Sequence, residues 1–390
     1  AKSHYLLGNC LYSMGKKEEA IDFYDKAISL NPNYAEAYFN KGISLSNINL
    51  KEEAIEMYNK TIEINHNFVD AYFQKGYCLY SIKKYQKAMQ EMNKVLELDP
   101  TYYQAYYEKG FCFLKMKRYE EAIIEISKAI QQNKYFEKAY FQRGYCCELI
   151  KDYTSAINDY TKVVELNSYS HMGFFRLGVC LLYKKNLSEA LNMFNKVIHL
   201  NRANYEAYYF KGMCQRYLKI YEDAIITFNY FLNCFVLNKK TDVSNEQIAN
   251  VYYNKGRCLL ALKRFTEAIS MFSNYLKKNK DCLEVYFKRA FCFYQVKKYK
   301  QAIDDLNILI NKLSSKEKKE EKKENKINED SEYDDENTEI KTERNIEEDD
   351  IQEMLAQIYY IRSKSYININ KINLGLNDIE NFFNIVKIEK

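Results

Sequence analysis

The chain has 390 residues, of which 47% are hydrophobic, and a formal net charge of +5. It contains no run of 18 apolar residues, so the sequence predicts no membrane-spanning helix. None of its four histidines has a metal-ligand spacing to cysteines or carboxylates, and no nucleophile motif or phosphate-binding loop occurs. We therefore expect no catalytic site, no metal and no cofactor, and function is expected on a surface of the protein.

A small residue recurs along the chain with a period of 34 residues. Glycine occupies this place eight times, and an alanine and a serine continue the series: Gly8, Gly42, Gly76, Gly110, Gly144, Gly178, Gly212, Gly256, Ala290 and Ser363. The interval before Gly256 contains ten extra residues, and a longer charged insertion precedes Ser363. A fixed period of this length is typical of stacked repeats, because each unit buries its apolar face only against its neighbours.

Each repeat contains the pattern of two packed helices. An aromatic residue stands four positions before the small residue in nine of ten repeats, and alanine stands twelve positions after it in nine of ten. A large apolar residue, such as Tyr24 or Tyr58, follows the alanine by four positions, which is the spacing of one helical face. The only prolines, Pro32 and Pro100, lie just past the second helix. The sequence therefore predicts two helices in every repeat, with small residues where they touch.

These features resemble the tetratricopeptide repeat, a helix-turn-helix of 34 residues with an aromatic residue, a glycine, an alanine and a terminal proline at fixed offsets. The resemblance implies an all-α fold, a right-handed superhelix of stacked helix pairs. The predicted repeats run over 1–34, 35–68, 69–102, 103–136, 137–170, 171–204, 205–238, 249–282, 283–316 and about 356–389. Repeats one to nine thus cover 1–316, with a short insertion at 239–248, and 356–389 is a tenth repeat. The terminal proline is absent from most of them.

A charged segment at 317–355 separates the ninth and tenth repeats. Residues 316–350 contain 16 acidic and 8 basic residues. The part from Glu329 to Asp350 is poor in apolar residues, so we expect this insertion to be largely disordered. In the short insertion, Ser244 followed by Gln247 predicts a capping box at the start of the next helix.

Eight of the eleven cysteines share one place, two residues after the periodic small residue: Cys10, Cys78, Cys112, Cys146, Cys180, Cys214, Cys258 and Cys292. Equivalent atoms of stacked repeats lie ~20 Å apart, which is beyond disulfide reach. We expect buried, reduced thiols in a cytoplasmic or nuclear protein. Because the chain begins at Ala1, in repeat register and without methionine, we also expect it to be a fragment.

Positions 2, 5, 9 and 12 of the first helix line the concave groove in proteins with this repeat. Here position 5 is aromatic in all ten repeats, and position 9 is mostly apolar where the family often has asparagine. Positions 5, 9 and 12 form one stripe per helix, so repeats three to seven are expected to form a continuous apolar trough. The candidate peptide-binding residues are Phe73, Tyr77, Tyr80, Tyr107, Phe111, Leu114, Phe141, Tyr145, Phe175, Val179, Leu182, Tyr209 and Met213.

An exposed trough of this size requires a cover, because soluble proteins rarely leave a large apolar patch in water. We expect an apolar peptide or helix of a partner protein. There are three alternatives. The cover could be a second copy of the chain or the chain's own insertion, or tight superhelical curvature could already hide the stripe.

Three specialised functions of the family can be compared by position. Tyr5, Asp70 and Gln74 stand where the carboxylate clamp of the cochaperones has basic residues, so that clamp is not expected. The asparagine ladder at position 6 of the nucleocytoplasmic sugar transferase arm is also missing. The array is similar to long scaffolds in multi-subunit assemblies, and the arm of an enzyme whose catalytic domain lies outside this chain stays an alternative.

Basic residues recur at position 7: Lys41, Lys75, Lys109, Arg143, Lys211, Lys255, Arg289 and Arg362. Solvated charge at the edge of the helices explains them, because their stems can cover apolar surface while the heads reach water. The other interpretation is a basic band for an acidic partner. We do not expect a nucleic acid partner, and an RNA-binding solenoid is the least favoured alternative.

Overall fold

The computed structural model describes residues 1–237, 244–313 and 338–388, and every regular element in these residues is an α-helix. The chain divides into two compact units, unit 1 (Ala1–Asn201) and unit 2 (Arg202–Lys390). In both units, helices that follow each other in the chain pack together as pairs. The predicted all-α solenoid of helix pairs is confirmed.

Unit 1 consists of six helix pairs. Their helices are α1 (Lys2–Ser13), α2 (Lys17–Leu30), α3 (Ala35–Asn47), α4 (Lys51–Ile64), α5 (Val69–Ser81), α6 (Tyr85–Leu98), α7 (Tyr103–Lys115), α8 (Tyr119–Gln132), α9 (Glu137–Leu149), α10 (Tyr153–Leu166), α11 (His171–Tyr183) and α12 (Leu187–Leu200).

The described residues of unit 2 form four further pairs. Their helices are α13 (Tyr205–Tyr217), α14 (Tyr221–Leu237), α15 (Asn245–Ala261), α16 (Phe265–Lys278), α17 (Leu283–Gln295), α18 (299–313), α19 (Thr338–Asn368) and α20 (Ile372–Ile388).

The periodic glycine forms the contact between the two helices of a pair. In α3–α4, a Cβ atom added to Gly42 would lie 2.7 Å from Cε1 of Tyr58, a ring that is completely buried. Gly212 has the same relation to Phe228, at 2.6 Å. Since the packed ring leaves no room for a methyl group, these contacts confirm the predicted close approach of the two helices.

The turn inside each pair contains one residue with a left-handed backbone. In α5–α6 this residue is Lys83, at φ 62°; its N–H donates to the carbonyl of Tyr80, and the N–H of Lys84 donates to the carbonyl of Leu79. This is the Schellman termination of a helix, in which glycine is preferred. The residues at this place are Gly15, Asn49, Lys83, Lys117, Lys151, Lys185, Lys219, Lys263, Lys297 and Asn370. Lysine therefore occupies a conformation that costs a side chain roughly 1 kcal/mol.

The turn after the second helix is closed by an amide or carboxylate side chain. The Oδ1 atom of Asn65 accepts a hydrogen bond from the N–H of Asn67 at 3.0 Å, and Asp99 accepts one from the N–H of Thr101 at 2.9 Å. These Asx turns form with proline in the turn, as at Asp99–Pro100, and without it, as at Asn65–His66. The turn therefore does not require proline, in agreement with its absence from most repeats.

The periodic cysteines from Cys78 to Cys292 are buried and free of disulfides, as predicted. Cys10 differs because it lies in the first pair and is exposed. Burial raises the pKa of Cys112 to about 12, so this thiol stays protonated at neutral pH.

Two expectations concern the insertions. The capping box is confirmed, because the N–H of Gln247 donates to Oγ of Ser244 at 3.1 Å and the N–H of Ser244 donates to Oε1 of Gln247 at 3.0 Å. Helix α19 begins at Thr338, inside the segment expected to be disordered. Residues 338–350 contain neither proline nor glycine, so the backbone permits the helix to extend in this direction. The rest of the expectation for this segment, over 317–337, lies outside the described residues, as do residues 239–243 of the short insertion. The division into nine repeats, an insertion and a tenth repeat stays a prediction.

Candidate protein-interaction surface

The first helices of successive pairs lie side by side. In unit 1, α1 contacts α3, α3 contacts α5, α5 contacts α7 and α7 contacts α9. We call the helices α1, α3, α5, α7, α9 and α11 the first-helix layer of unit 1. Eleven of the thirteen candidate residues lie in it, whereas Tyr209 and Met213 lie on α13 of unit 2.

The candidate residues differ in exposure. Tyr77 is the most exposed, at 43%. Three are buried, namely Leu114, Phe175 and Val179. The others are half-buried: Phe73, Tyr80, Tyr107, Phe111, Phe141, Tyr145, Leu182, Tyr209 and Met213. Neighbouring side chains therefore already cover much of the predicted stripe, although Tyr77 remains partly exposed.

The rings at position 5 pack mainly inside their own repeat. Phe73 lies 5.1 Å from the Tyr102 ring, and Tyr107 lies 5.0 Å from Phe136, the last residue of its repeat. Phe141, Phe175 and Tyr209 contact the buried rings of their second helices, Tyr160, Phe194 and Phe228. Position 5 thus stabilises the helix pair, which accounts for its aromatic residue in every repeat.

The rings at positions 9 and 12 connect neighbouring repeats. Tyr80 of α5 lies 5.4 Å from Phe111 of α7, and Phe111 in turn stacks on Tyr107 at 6.0 Å. Tyr77 is on the same helix as Tyr80, one turn earlier. The structure therefore brings Tyr80, Tyr107 and Phe111 together, and the exposed Tyr77 lies one helical turn from Tyr80. We call these four residues of α5 and α7 the α5–α7 patch.

An acidic side chain borders this patch. Glu108 follows Tyr107 on α7 and is half-buried. Burial raises the pKa of both Tyr80 and Tyr107, and the charge of Glu108 adds to both increases. Burial raises the pKa of Glu108 itself to about 7, and Lys138 opposes the shift. Sequence reasoning did not select Glu108, since a lone glutamate on a first helix is ordinary.

An ion pair interrupts the apolar stripe between the fifth and sixth repeats. Nη1 of Arg176 donates to Oε1 of Glu148 at 3.0 Å, and the hydroxyl of Tyr160 donates to Oε2 of Glu148 at 3.0 Å. The Arg176 guanidinium also lies 5.2 Å from the centre of the Tyr145 ring. Opposite charges at position 12 of one repeat and position 6 of the next are the sequence signal of this contact. The stripe is not continuously apolar at this point.

Most basic residues at position 7 form ion pairs with the second helix. Arg143 makes two hydrogen bonds to Asp159, at 2.6 and 2.9 Å, and Arg289 makes two to Asp305, at 2.7 and 2.8 Å. The same pairing joins Lys75 to Glu91, Lys109 to Glu125 and Arg362 to Asp378, whereas Lys41 pairs with Asp25 on the second helix of the preceding pair. The charge of this band is therefore largely neutralised inside the protein, which favours the structural interpretation over a surface for an acidic partner.

No helix among the described residues is long and apolar enough to cross a membrane. In the same residues, no group of three or more histidine, cysteine, aspartate or glutamate side chains is arranged to hold a metal ion.

Comparison with known proteins supports the repeat assignment. Family models of the tetratricopeptide repeat match residues 1–34, 23–56, 137–169 and 249–280. A model of subunit 3 of the anaphase-promoting complex, or cyclosome, matches residues 47–129. None of the curated proteins compared with the chain matches it.

Solved structures share the architecture. A tetratricopeptide repeat protein of Cytophaga hutchinsonii superimposes with a TM-score of 0.55 at 18% identity, over 64% of this chain and 98% of that chain. YrrB, described as a TPR protein with an unusual peptide-binding site, has 26% identity and a TM-score of 0.42, over 47% of this chain and 95% of that chain. The Cut9–Hcn1 hetero-tetramer of the anaphase-promoting complex gives a TM-score of 0.41 at 19% identity, over 76% of this chain and 56% of that chain. The family models and the packed helix pairs together show that the chain contains tetratricopeptide repeats packed as a solenoid.

Proposed function

We propose that this protein is a non-catalytic scaffold that binds an apolar peptide or helix of a partner protein on the first-helix layer of unit 1. Tetratricopeptide repeat arrays are protein-interaction scaffolds, so a protein partner follows from the family. The α5–α7 patch supports the choice of an apolar segment. Within it, the 43% exposure of Tyr77 beside the half-buried Tyr80 and Phe111 is the observation that carries the proposal.

The energy available at this patch is enough to select a ligand. Covering the exposed part of Tyr77, on the order of 90 Å² of side-chain surface, contributes roughly 2 kcal/mol. Tyr80 and Phe111 add smaller amounts, because each is half-buried before a ligand arrives. An apolar side chain seated between α5 and α7 would contact all three rings, so the patch favours a ligand with one large apolar anchor.

Membership of a multi-subunit assembly is the second part of the proposal. The model of anaphase-promoting complex subunit 3 matches residues 47–129, and this range includes both α5 and α7. The stretch that matches the model of this subunit therefore includes the patch. This similarity supports an assembly role without identifying the complex.

A selection from displayed peptides tests the proposal on the full chain. Wild-type protein is expected to enrich peptides with leucine, isoleucine, phenylalanine or tryptophan anchors. Tyr77→Glu is expected to abolish this enrichment, because a carboxylate would be desolvated against the bound apolar group. The exposed Tyr77 is preferable to Phe111 or Tyr145 as the mutated position, since those rings pack against neighbouring repeats.

Tyr135→Glu is the matched control. Tyr135 is 83% exposed and lies between α8 and α9, outside the first-helix layer. It is expected to select the same peptides as the wild type. Equal enrichment by Tyr77→Glu and the wild type would refute the proposal. Sedimentation of the protein alone distinguishes self-association, because loss of a dimer in Tyr77→Glu would identify a second copy as the ligand.

A further inference from the structure

Unit 2 contains a small cavity between α13, α14 and α15, with a volume of about 230 Å³. The described residues that line it are Glu206, Tyr209, Phe210, Phe231, Gln247 and Asn250. Phe231 of α14 is 2% exposed and forms the floor, whereas the other five are half-buried. The cavity is therefore a recess with an aromatic floor and a rim that reaches the solvent. We call it the α13–α15 cavity.

Three residues of this cavity depart from the pattern of the repeats. Phe210 is the one aromatic residue at position 6 in the ten repeats, and Phe231 stands where the six preceding repeats have alanine, threonine or valine. Gln247 belongs to an extra turn at the start of α15, which has 17 residues where α13 has 13. The capping box with Ser244 holds this turn in place. Since the packing of a repeat does not require these residues, their meeting at one cavity indicates a role beyond packing.

The three rings of the cavity are steeply inclined to each other. The ring centres of Tyr209 and Phe210 lie 5.3 Å apart with an interplanar angle of 72°, and those of Tyr209 and Phe231 lie 6.3 Å apart at 58°. Rings at such angles enclose a common space from several directions. The electron-rich face of an aromatic ring attracts a cation that lies within about 6 Å of the ring centre. A group of rings of this kind therefore favours a cation that can tolerate an apolar surrounding.

The charge of the cavity has the same sign as the ring faces. Glu206 is the one charged side chain in the described lining. No ion pair between described residues includes Glu206, so its carboxylate is not neutralised by the residues that the structure places around it. The carboxylate attracts a cation and repels an anion at the rim. The chemistry of the cavity thus combines apolar walls with a negative potential.

We propose that the α13–α15 cavity binds the alkylammonium head of a methylated lysine side chain on a partner protein. Methyl groups cover the positive charge with apolar surface, whereas the bare ammonium of lysine is strongly hydrated and costly to remove from water. The volume of the cavity is below the roughly 300–1,000 Å³ of sites that enclose a whole small molecule, which favours a single side chain. The choice of a protein as its source rests on the scaffold function proposed above. The site lies in unit 2 and is separate from the α5–α7 patch.

Ligand-observed NMR titrations of the full chain with small probes test the proposal. The first probe is N-acetyl-trimethyl-lysine methylamide, the second is the same compound with unmodified lysine, and the third has a neutral tert-butyl group in place of the trimethylammonium group. We expect the first probe to bind at least tenfold more tightly than the other two. Equal binding of the neutral probe would overturn the proposal, because an ordinary apolar pocket would explain it. Choline is the fourth probe, and binding of choline as tight as that of the first probe would overturn the assignment to a lysine side chain.

Two variants separate ligand binding from a structural role. Phe210→Leu should weaken binding of the trimethyl-lysine probe at least tenfold and leave the helix content unchanged, because leucine occupies position 6 of the first repeat at Leu6. Glu206→Gln should weaken binding of the same probe about threefold or more. It should leave the weaker binding of the neutral probe unchanged, a result that a purely structural role of Glu206 would not give.

Glu246→Gln is the matched control, because it changes the net charge in the same way. Glu246 is exposed and precedes Gln247, yet it lies outside the cavity lining. It should bind the trimethyl-lysine probe like the wild type, and so should Tyr77→Glu, which keeps this test distinct from that of the apolar ligand. The proposal is overturned by wild-type affinity in Phe210→Leu and Glu206→Gln, or by equal weakening in Glu246→Gln.

Discussion

The hydroxyl group of Tyr58 is a defect in an otherwise well-packed helix pair. Tyr58 is completely buried between α3 and α4, and its hydroxyl has no hydrogen-bond partner. Burial raises the pKa of this hydroxyl strongly, as expected for a group removed from water. We predict that Tyr58→Phe stabilises the protein. Phenylalanine already occupies the equivalent place in three repeats, at Phe194, Phe228 and Phe272.

The size of the effect follows from the missing bond. A buried hydroxyl without a partner costs about 1–3 kcal/mol of stability, and the small void left after removal of the oxygen atom offsets part of the gain. The expected gain is therefore about 1 kcal/mol. Tyr160, in the same place of α10, is the matched control because its hydroxyl donates to Glu148 at 3.0 Å. Tyr160→Phe should destabilise its pair by roughly 1–2 kcal/mol, since a hydrogen bond to a charged group is lost.

Hydrogen exchange measured by mass spectrometry is the suitable assay, because a repeat array does not unfold as one cooperative unit and local stability must be resolved. Amides of α4 should exchange about fivefold more slowly in Tyr58→Phe, which corresponds to a gain of about 1 kcal/mol. Amides of α10 should exchange faster in Tyr160→Phe. Faster exchange of α4 in Tyr58→Phe, or an unchanged α10 in Tyr160→Phe, would refute the reasoning about unpaired hydroxyls.

Three other predictions concern packing, turns and pH. Gly212→Ala should destabilise unit 2 by roughly 1–3 kcal/mol, because the new Cβ would lie 2.6 Å from the Phe228 ring; a melting curve no lower than that of the wild type would contradict this. Lys117→Gly should stabilise unit 1 by about 0.5–1 kcal/mol, because a φ of 61° is strained for lysine and unstrained for glycine. Urea unfolding measures the effect, and a midpoint lower than that of the wild type would contradict it. Burial raises the pKa of Glu108 from 4.5 to about 7, so the folded state keeps a proton that the unfolded chain has released, and stability should fall as pH rises from 4.5 to 7. In Glu108→Gln this part of the pH dependence should disappear, and an unchanged slope would show that other groups cause it.

The periodic part of the fold could be predicted from the sequence because it depends on residues at fixed spacing. Gly42 and Tyr58 stand 16 residues apart, and this spacing alone indicates the contact that the structure shows. The left-handed turn was missed because lysine, unlike glycine, carries no signal for that conformation. Lys117 adopts this conformation because the two helices that flank the turn determine its backbone.

The candidate surface was predicted less completely because exposure depends on neighbouring repeats. The aromatic residue at position 5 has the same spacing as an exposed stripe, yet Phe175 is buried against Phe194. The ion pair between Glu148 and Arg176 spans 28 residues and two repeats, so a pattern searched within one repeat cannot reveal it. Contacts between repeats decide which members of a periodic set remain available to a ligand.

The lysines of the left-handed turns have a practical consequence. Lys83, Lys117, Lys151 and Lys185 are all exposed, and each occupies the same corner of its helix pair in unit 1. They are primary amines set at regular intervals along this unit. Amine-reactive crosslinkers of graded length would therefore act as a molecular ruler, and the shortest reagent that joins two adjacent lysines would report how closely the pairs stack. Changes in that length on adding a ligand would measure bending of unit 1 in solution.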